Sequence, residues 1–97
     1  MSVPSIGALT LELQIEDSHS LKDKRNVVRS LKDRLRTKFN VSVAEIGGQG
    51  TWHHAVVAVV AVAGDREYAE QLLQAVEREA ESILGGALVG SGVEWLS

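Results

Sequence analysis

The chain opens on a two-residue alternation. From Ile6 to Glu16, Leu9, Leu11, Leu13 and Ile15 fall on one side, and Ala8, Thr10, Glu12 and Gln14 on the other. Period two is the signature of a strand with one buried face. A polar connection follows, Glu16 to His19, and the period then changes: Leu21, Val28, Leu31, Leu35 and Phe39 recur at spacings of three, four or seven, the stripe a helix lays on a sheet. Ser20 stands at its N-cap with Asp23 three positions on, a near capping box.

Asn40 closes that helix, and Val41 to Ile46 predicts a second strand. Gly47, Gly48, Gln49 and Gly50 read as a hairpin loop. The next run, Thr51 to Ala63, is apolar on both faces, with Trp52, Val56, Val60 and Val62 on one and Val57, Val59 and Ala61 on the other. A strand with two apolar faces belongs in the middle of a sheet. Gly64 ends it and Asp65 caps a second helix whose stripe is Tyr68, Leu72, Leu73, Val76, Ala80, Ile83 and Leu84. Gly85 and Gly86 stop that helix, and Ala87 to Leu96 predicts a last strand interrupted by Gly90 and Gly92.

The order is strand, helix, strand, strand, helix, strand. In a chain of 97 residues it predicts one α+β domain, 1–97, of the ferredoxin-like βαββαβ type. Four antiparallel strands would carry two helices on one face, with the first and third strands central. The other face has no helix to cover it, so a homodimer is expected, with a second subunit over the apolar side of the third strand.

Charge changes the picture more than composition does. The net charge is -3, yet eight of the ten Lys and Arg residues lie between His19 and Asn40, with only Asp23 and Asp33 against them. The rest of the chain holds two basic and eleven acidic residues. Two surfaces of opposite sign are implied. At 100° per residue, Lys22, Arg25, Arg29, Lys32 and Arg36 fall within about a quarter of the helix circumference, a row about 20 Å long beside the apolar stripe. Such a row fits the phosphates of an RNA strand or groove. It equally fits a solvated helix face, or pairing with the acidic second helix through Glu67, Glu70, Glu77, Glu79 and Glu81. Arg34, Arg36 and Lys38 also complement the helix dipole. Lys24 points toward the apolar side in the first turn, where its ammonium must snorkel out or meet a carboxylate, with Glu16 and Asp17 as candidates.

Other chemistry finds little support. With no cysteine in the chain, disulfides, thiolate metal sites and cysteine nucleophiles are excluded. His53 and His54 are neighbours on a strand and face opposite sides, and His19 is remote in sequence, so no metal site is expected. The Gly47–Gly50 loop lacks the Lys-Ser/Thr pair of a phosphate loop and joins strand to strand. RNA-recognition motifs stack bases on aromatics of the central strands, which here carry only Trp52 at one end. Acylphosphatases hold phosphate in a first loop bearing arginine and glycine, and Glu16 to Leu21 has neither. No catalytic constellation and no cofactor site are recognisable. The longest apolar run, Ala55 to Ala63, falls well short of the roughly 20 residues of a membrane span. The first residues lack a basic start followed by an unbroken apolar segment. A cytoplasmic protein is expected.

The segment HSLKDKRNVVRSLKDRLRTKFNVSVAEI, from His19 to Ile46, followed by Gln49, Trp52 and an alanine- and valine-rich strand, resembles the YlxP-like family of small bacterial proteins of unknown function. The resemblance runs from Leu9 to about Leu84 and singles out Ser20, Leu21, Lys22, Lys24 and Arg25. It implies a ferredoxin-like fold and a bacterial cytoplasmic setting. Members are often encoded beside translation-initiation and ribosome-maturation factors, which favours an RNA or ribosome role, and the family brings no established catalytic residues. The leading expectation is an RNA- or ribosome-associated binding protein whose contacts are Lys22, Lys24, Arg25, Arg29, Lys32 and Arg36. The alternative is a small-ligand-binding or regulatory homodimer with no nucleic-acid role.

Overall fold

The two alternating segments pair with each other, and the rest of the sheet is built outward from them. In a computed structural model that describes residues 2–16, 20–48 and 51–97, strand β1 is Ser5–Gln14 and strand β3 is His54–Ala63, antiparallel over their full lengths from Ser5 opposite Ala63 to Gln14 opposite His54. Strand β2, Ser42–Gly47, adds to the outer side of β3, and strand β4, Leu88–Trp95, to the outer side of β1. The sheet order is β2-β3-β1-β4, all antiparallel. Helices α1, Leu21–Lys38, and α2, Arg66–Leu84, pack on one face, and a single 3-10 turn, Gly85–Ala87, leads into β4. This is the ferredoxin-like sandwich expected, with the first and third strands central.

Both helices begin as their sequences dictate. The Ser20 hydroxyl accepts from the Asp23 amide at 3.1 Å, and the Asp65 carboxylate accepts from the Tyr68 amide at 3.1 Å, each satisfying one of the amides that a first turn leaves over. The core lies between the helices and the odd-numbered residues of the central strands. Leu9, Leu11, Leu13, Ala55, Val57, Val59 and Ala61 are buried against Val28, Leu31 and Leu35 of α1 and Leu73, Val76 and Ala80 of α2. No described helix is long and apolar enough to cross a membrane.

Several expectations need correction. The third strand begins at His54 instead of Thr51, because the Thr51 hydroxyl bonds the carbonyls of Gly48 (2.9 Å) and His54 (3.1 Å) and holds Thr51 to His53 out of the ladder. Such side-chain bonds compete with the ladder. Trp52 consequently sits off the sheet, 51% exposed. Tyr68 and Ile83, counted in the apolar stripe of α2, lie on its exposed flank. The turn through Asp17, Ser18 and His19, and Gln49 and Gly50 of the hairpin loop, lie outside the described residues.

The ladder also shows which main-chain groups are left over at the two edges. The Leu96 amide donates to Ile6 and the Ile15 amide to His53, so even-numbered residues of β1 bond toward β4 and odd-numbered ones toward β3. In antiparallel pairing this alternation carries across the sheet. With the observed registers, Val43 and Glu45 turn their main chain outward from the β2 edge, and Ser91, Val93 and Trp95 do so from the β4 edge.

Candidate nucleic-acid interface

Helix α1 presents three flanks, and each disposes of its cations differently. Its inner flank buries Val28, Leu31 and Leu35, and with them Lys24, only 2% exposed. The Lys24 ammonium donates to the Gly48 carbonyl at 2.5 Å and the His54 carbonyl at 3.2 Å, and lies 3.7 Å from Glu45 Oε2. Gly48 can offer its carbonyl there because its φ is 84°, a left-handed conformation that glycine adopts without strain. A Cβ at that position would also stand 2.3 Å from the His54 oxygen. Lys24 therefore ties the first turn of α1 to the turn between β2 and β3.

This revises two expectations. Lys24, grouped with the phosphate contacts, is turned inward and does not share their surface. The carboxylate it meets is Glu45, not Glu16, and Asp17 lies outside the described residues. The signal for Glu45 was present: it keeps the parity of Val43 in β2 and so faces the core side of the sheet, where a carboxylate requires a cation.

The flank toward α2 holds Arg34 and Lys38. Arg34 Nε stands 3.2 Å from Glu79 Oε2, and Lys38 Nζ stands 2.6 Å from Glu79 Oε1. The hydrogen bond from Lys38, reinforced by the charges of Lys38 and Arg34, holds the Glu79 carboxyl below its ordinary range. Pairing with the acidic second helix thus occurs, but through Arg34 and Lys38 and not through the predicted row.

The row occupies the third flank, along the β2 edge. Arg36 Nη2 donates to the outward-facing Val43 carbonyl at 2.8 Å, and its other nitrogen lies 4.0 Å from Asp33. Upstream, Arg25, Arg29 and Lys32 line a hollow of about 240 Å³ with Val28 and Glu45. Lys22 continues the row toward the N-terminus of α1, exposed to solvent. Among the described residues, Lys22, Arg25, Arg29 and Lys32 form no ion pair with a carboxylate. At 1.5 Å per residue, Lys22 to Lys32 spans about 15 Å.

The histidines are engaged elsewhere. His53 Nδ1 lies 3.1 Å from the Ile15 carbonyl, and His54 Nε2 lies 3.6 Å from Glu12 Oε2 on the open face of the sheet. Among the described residues, no group of three or more His, Asp or Glu is arranged to hold a metal ion. His19 lies outside them.

Comparison with known proteins gives a curated relative that is itself uncharacterised. The chain is 42% identical over 71 residues to the uncharacterized protein YlxP of Bacillus subtilis (strain 168), covering 73% of this chain and 77% of that one. Among solved structures it is similar to the de novo designed protein Foldit4, with a TM-score of 0.60, 14% identity and 98% of both chains covered. It is also similar to a C-terminal segment of the alpha subunit of aIF2 from Pyrococcus abyssi, with a TM-score of 0.52, 16% identity, and 96% of this chain and 49% of that one covered. At such identities these two structures share the fold alone. A family profile described as protein of unknown function (DUF503) matches residues 6–91, and the chain belongs to that family.

Proposed function

We propose that the protein binds RNA, free or in the ribosome, through the flank of α1 that runs along the β2 edge. The observation that carries this reading is the division of the cations of α1. Arg34 and Lys38 are paired with Glu79 and Lys24 is buried, whereas Lys22, Arg25, Arg29 and Lys32 remain together without a described carboxylate in ion-pair contact. Unpaired cations in a row track a polyanion by releasing its counterions. Arg36, held by the Val43 carbonyl on one side and facing Asp33 at 4.0 Å on the other, closes the row. With Trp52 off the sheet, contacts to the phosphate backbone dominate over stacking of bases.

The test is co-sedimentation with ribosomal subunits and bulk RNA from a bacterial lysate at low and raised salt. Wild-type protein should associate in a salt-sensitive manner, and Arg25→Glu/Arg29→Glu/Lys32→Glu should lose association while keeping its circular dichroism and melting temperature. Association that survives this triple reversal, or none at low salt, overturns the reading.

A second reading, self-association, rests on the face of the sheet that the helices leave open. Val56, Ala58, Val60 and Val62 of β3 lie there beside Ala8 of β1 and Ala44 of β2, with Val62 60% exposed. An apolar patch of this kind is uncommon on a monomer. Here it is bounded by Glu12, opposite Val56, and its partner His54, so a copy of itself about a two-fold axis would cover the Ala8, Ala44, Val60 and Val62 end. Sedimentation equilibrium of wild type against Val60→Glu tests it: a dimer that becomes a monomer supports the homodimer, and a monomeric wild type at micromolar concentration removes it.

A further inference from the structure

The two edges of the sheet are finished in opposite ways. At the β2 edge, Arg36 covers the Val43 carbonyl and cations stand alongside. At the β4 edge, the outward main-chain groups of Ser91, Val93 and Trp95 have no side-chain partner among the described residues. Natural edge strands are commonly blunted by lysine, by proline or by a cover. From Leu88 to Trp95, β4 carries neither of those residues, its sole charge is Glu94, and its one register shift lies at the Leu88–Gly90 end, short of Ser91, Val93 and Trp95. Gly90 and Gly92 leave its open-face side bare.

Beside this edge runs a cleft under α2. Its floor is Leu73, Val93 and Trp95, and its wall is Glu70, Gln74 and Glu77, around a hollow of about 290 Å³. Glu81 continues the acidic wall beside Ser91 and Gly90. The floor is firmly built. The Arg66 guanidinium stacks 3.9 Å over the Trp95 ring, and the Glu77 carboxylate accepts from the Ser91 hydroxyl. Val93, in contrast, is 48% exposed, a large apolar side chain held open to solvent at the middle of the cleft.

We infer that this cleft docks an extended, basic segment of a partner polypeptide, which adds to β4 as a fifth strand. The free main-chain groups require an extended occupant, since only a strand meets donors and acceptors at every second residue. The exposed carboxylates of Glu70 and Glu81, with Glu77 held between them by the Ser91 hydroxyl, favour cationic side chains on the side facing α2, and exposed Val93 beside Trp95 takes an aliphatic one. Charge alone would also admit the basic β2 edge of a second copy. That contact is head-to-tail and generates rings or filaments, so the occupant assigned is a separate chain. The site is remote from the α1 row and stands independently of the RNA reading.

The probe is a synthetic peptide of about nine residues, within the usual range of strand lengths of about 3–10, alternating lysine with valine or leucine. It is titrated into the isotopically labelled full chain and followed by amide chemical shifts. Shifts should concentrate at Ser91, Val93 and Trp95 and along Gln74 and Glu77. Replacing lysine by glutamate in the peptide, or placing proline at its centre, should abolish binding. Glu70→Lys/Glu81→Lys should weaken it at least about tenfold, the effect of losing about 1.4 kcal/mol. Val93→Pro should block pairing at an amide that bonds no neighbour within the sheet; should that variant unfold, the surface charge reversal still decides. Binding that tolerates the central proline or the glutamate replacement, shifts confined to α1 or the open sheet face, or absence of binding overturns the proposal. Growth of the protein alone into larger species with concentration, lost in Glu70→Lys/Glu81→Lys, overturns it in favour of self-assembly.

Discussion

The ammonium of Lys24 lies 3.7 Å from the carboxylate of Glu45, buried beneath the turn that joins β2 to β3. It also bonds the carbonyls of Gly48 and His54, so one side chain of α1 fixes the geometry of a loop from which two strands depart. Glu45, a residue of β2, also lines the hollow formed with Arg25, Arg29 and Lys32, so the pair sits where the basic row meets the β2 edge.

Lys24→Met should keep the aliphatic packing and withdraw the cation that two carbonyls and a carboxylate share. Breaking a buried pair from one side costs about 3 kcal/mol or somewhat more. Urea unfolding should show a loss of that size. If the loss stays below about 1 kcal/mol, as for an exposed ion pair, the contact contributes no more than a surface one.

Glu79 should give the protein a stability component that acid removes. Its carboxyl is held below its ordinary range first by the hydrogen bond from Lys38 and then by the charges of Lys38 and Arg34. A depressed folded-state pKa means that the unfolded chain binds more protons through that window, so the stabilisation is present above the unfolded pKa and is lost as pH falls through the folded one. Glu79→Gln should therefore be less stable than wild type near neutral pH, with the gap closing as pH falls below the ordinary carboxylate range. A difference in urea midpoint that is independent of pH would contradict the pairing.

Gly7 is the position where the sheet admits the Trp95 ring. A Cβ there would stand 2.7 Å from Trp95 Cζ3 and 2.8 Å from Leu73 Cδ1. The leucine end can yield, but the indole is wedged under Arg66. Gly7→Ala should destabilise by about 1–3 kcal/mol, the range of core overpacking. In a Trp52→Phe background, emission from Trp95 should shift to the red; unchanged emission and stability would show that the ring is not held there.

Salt dependence measures how many cations of the row reach phosphate. For a defined RNA, the slope of log affinity against log salt should fall by about 2–3 in Arg25→Ala/Arg29→Ala/Lys32→Ala, each contact contributing roughly 0.7 to 0.9. Arg34→Ala and Lys38→Ala, which remove partners of Glu79, should leave that slope unchanged. An equal effect from both sets would place binding outside the β2 flank.

Much of this architecture is written in residue spacing alone. The alternation through Leu9, Leu11 and Leu13, the caps at Ser20 and Asp65, and the doubly apolar run ending at Ala63 determine the order of elements and the choice of central strands. Each depends on neighbours within a few residues, and a helix or strand turns that spacing into a face. Departures came where a side chain chose a local bond over the pattern, as Thr51 did, or where an apolar position fell outside the covered face, as Tyr68 and Ile83 did. The clustering of eight cations near α1 was equally legible. Which of them are occupied was not. Whether Lys24 turns inward to Glu45, Arg34 and Lys38 reach Glu79, or Arg36 finds the Val43 carbonyl depends on distances between elements far apart in the chain. Those distances exist only after the helices have settled on the sheet, because an ion pair forms where packing leaves two charges within reach, and helical period specifies only the flank from which each one starts.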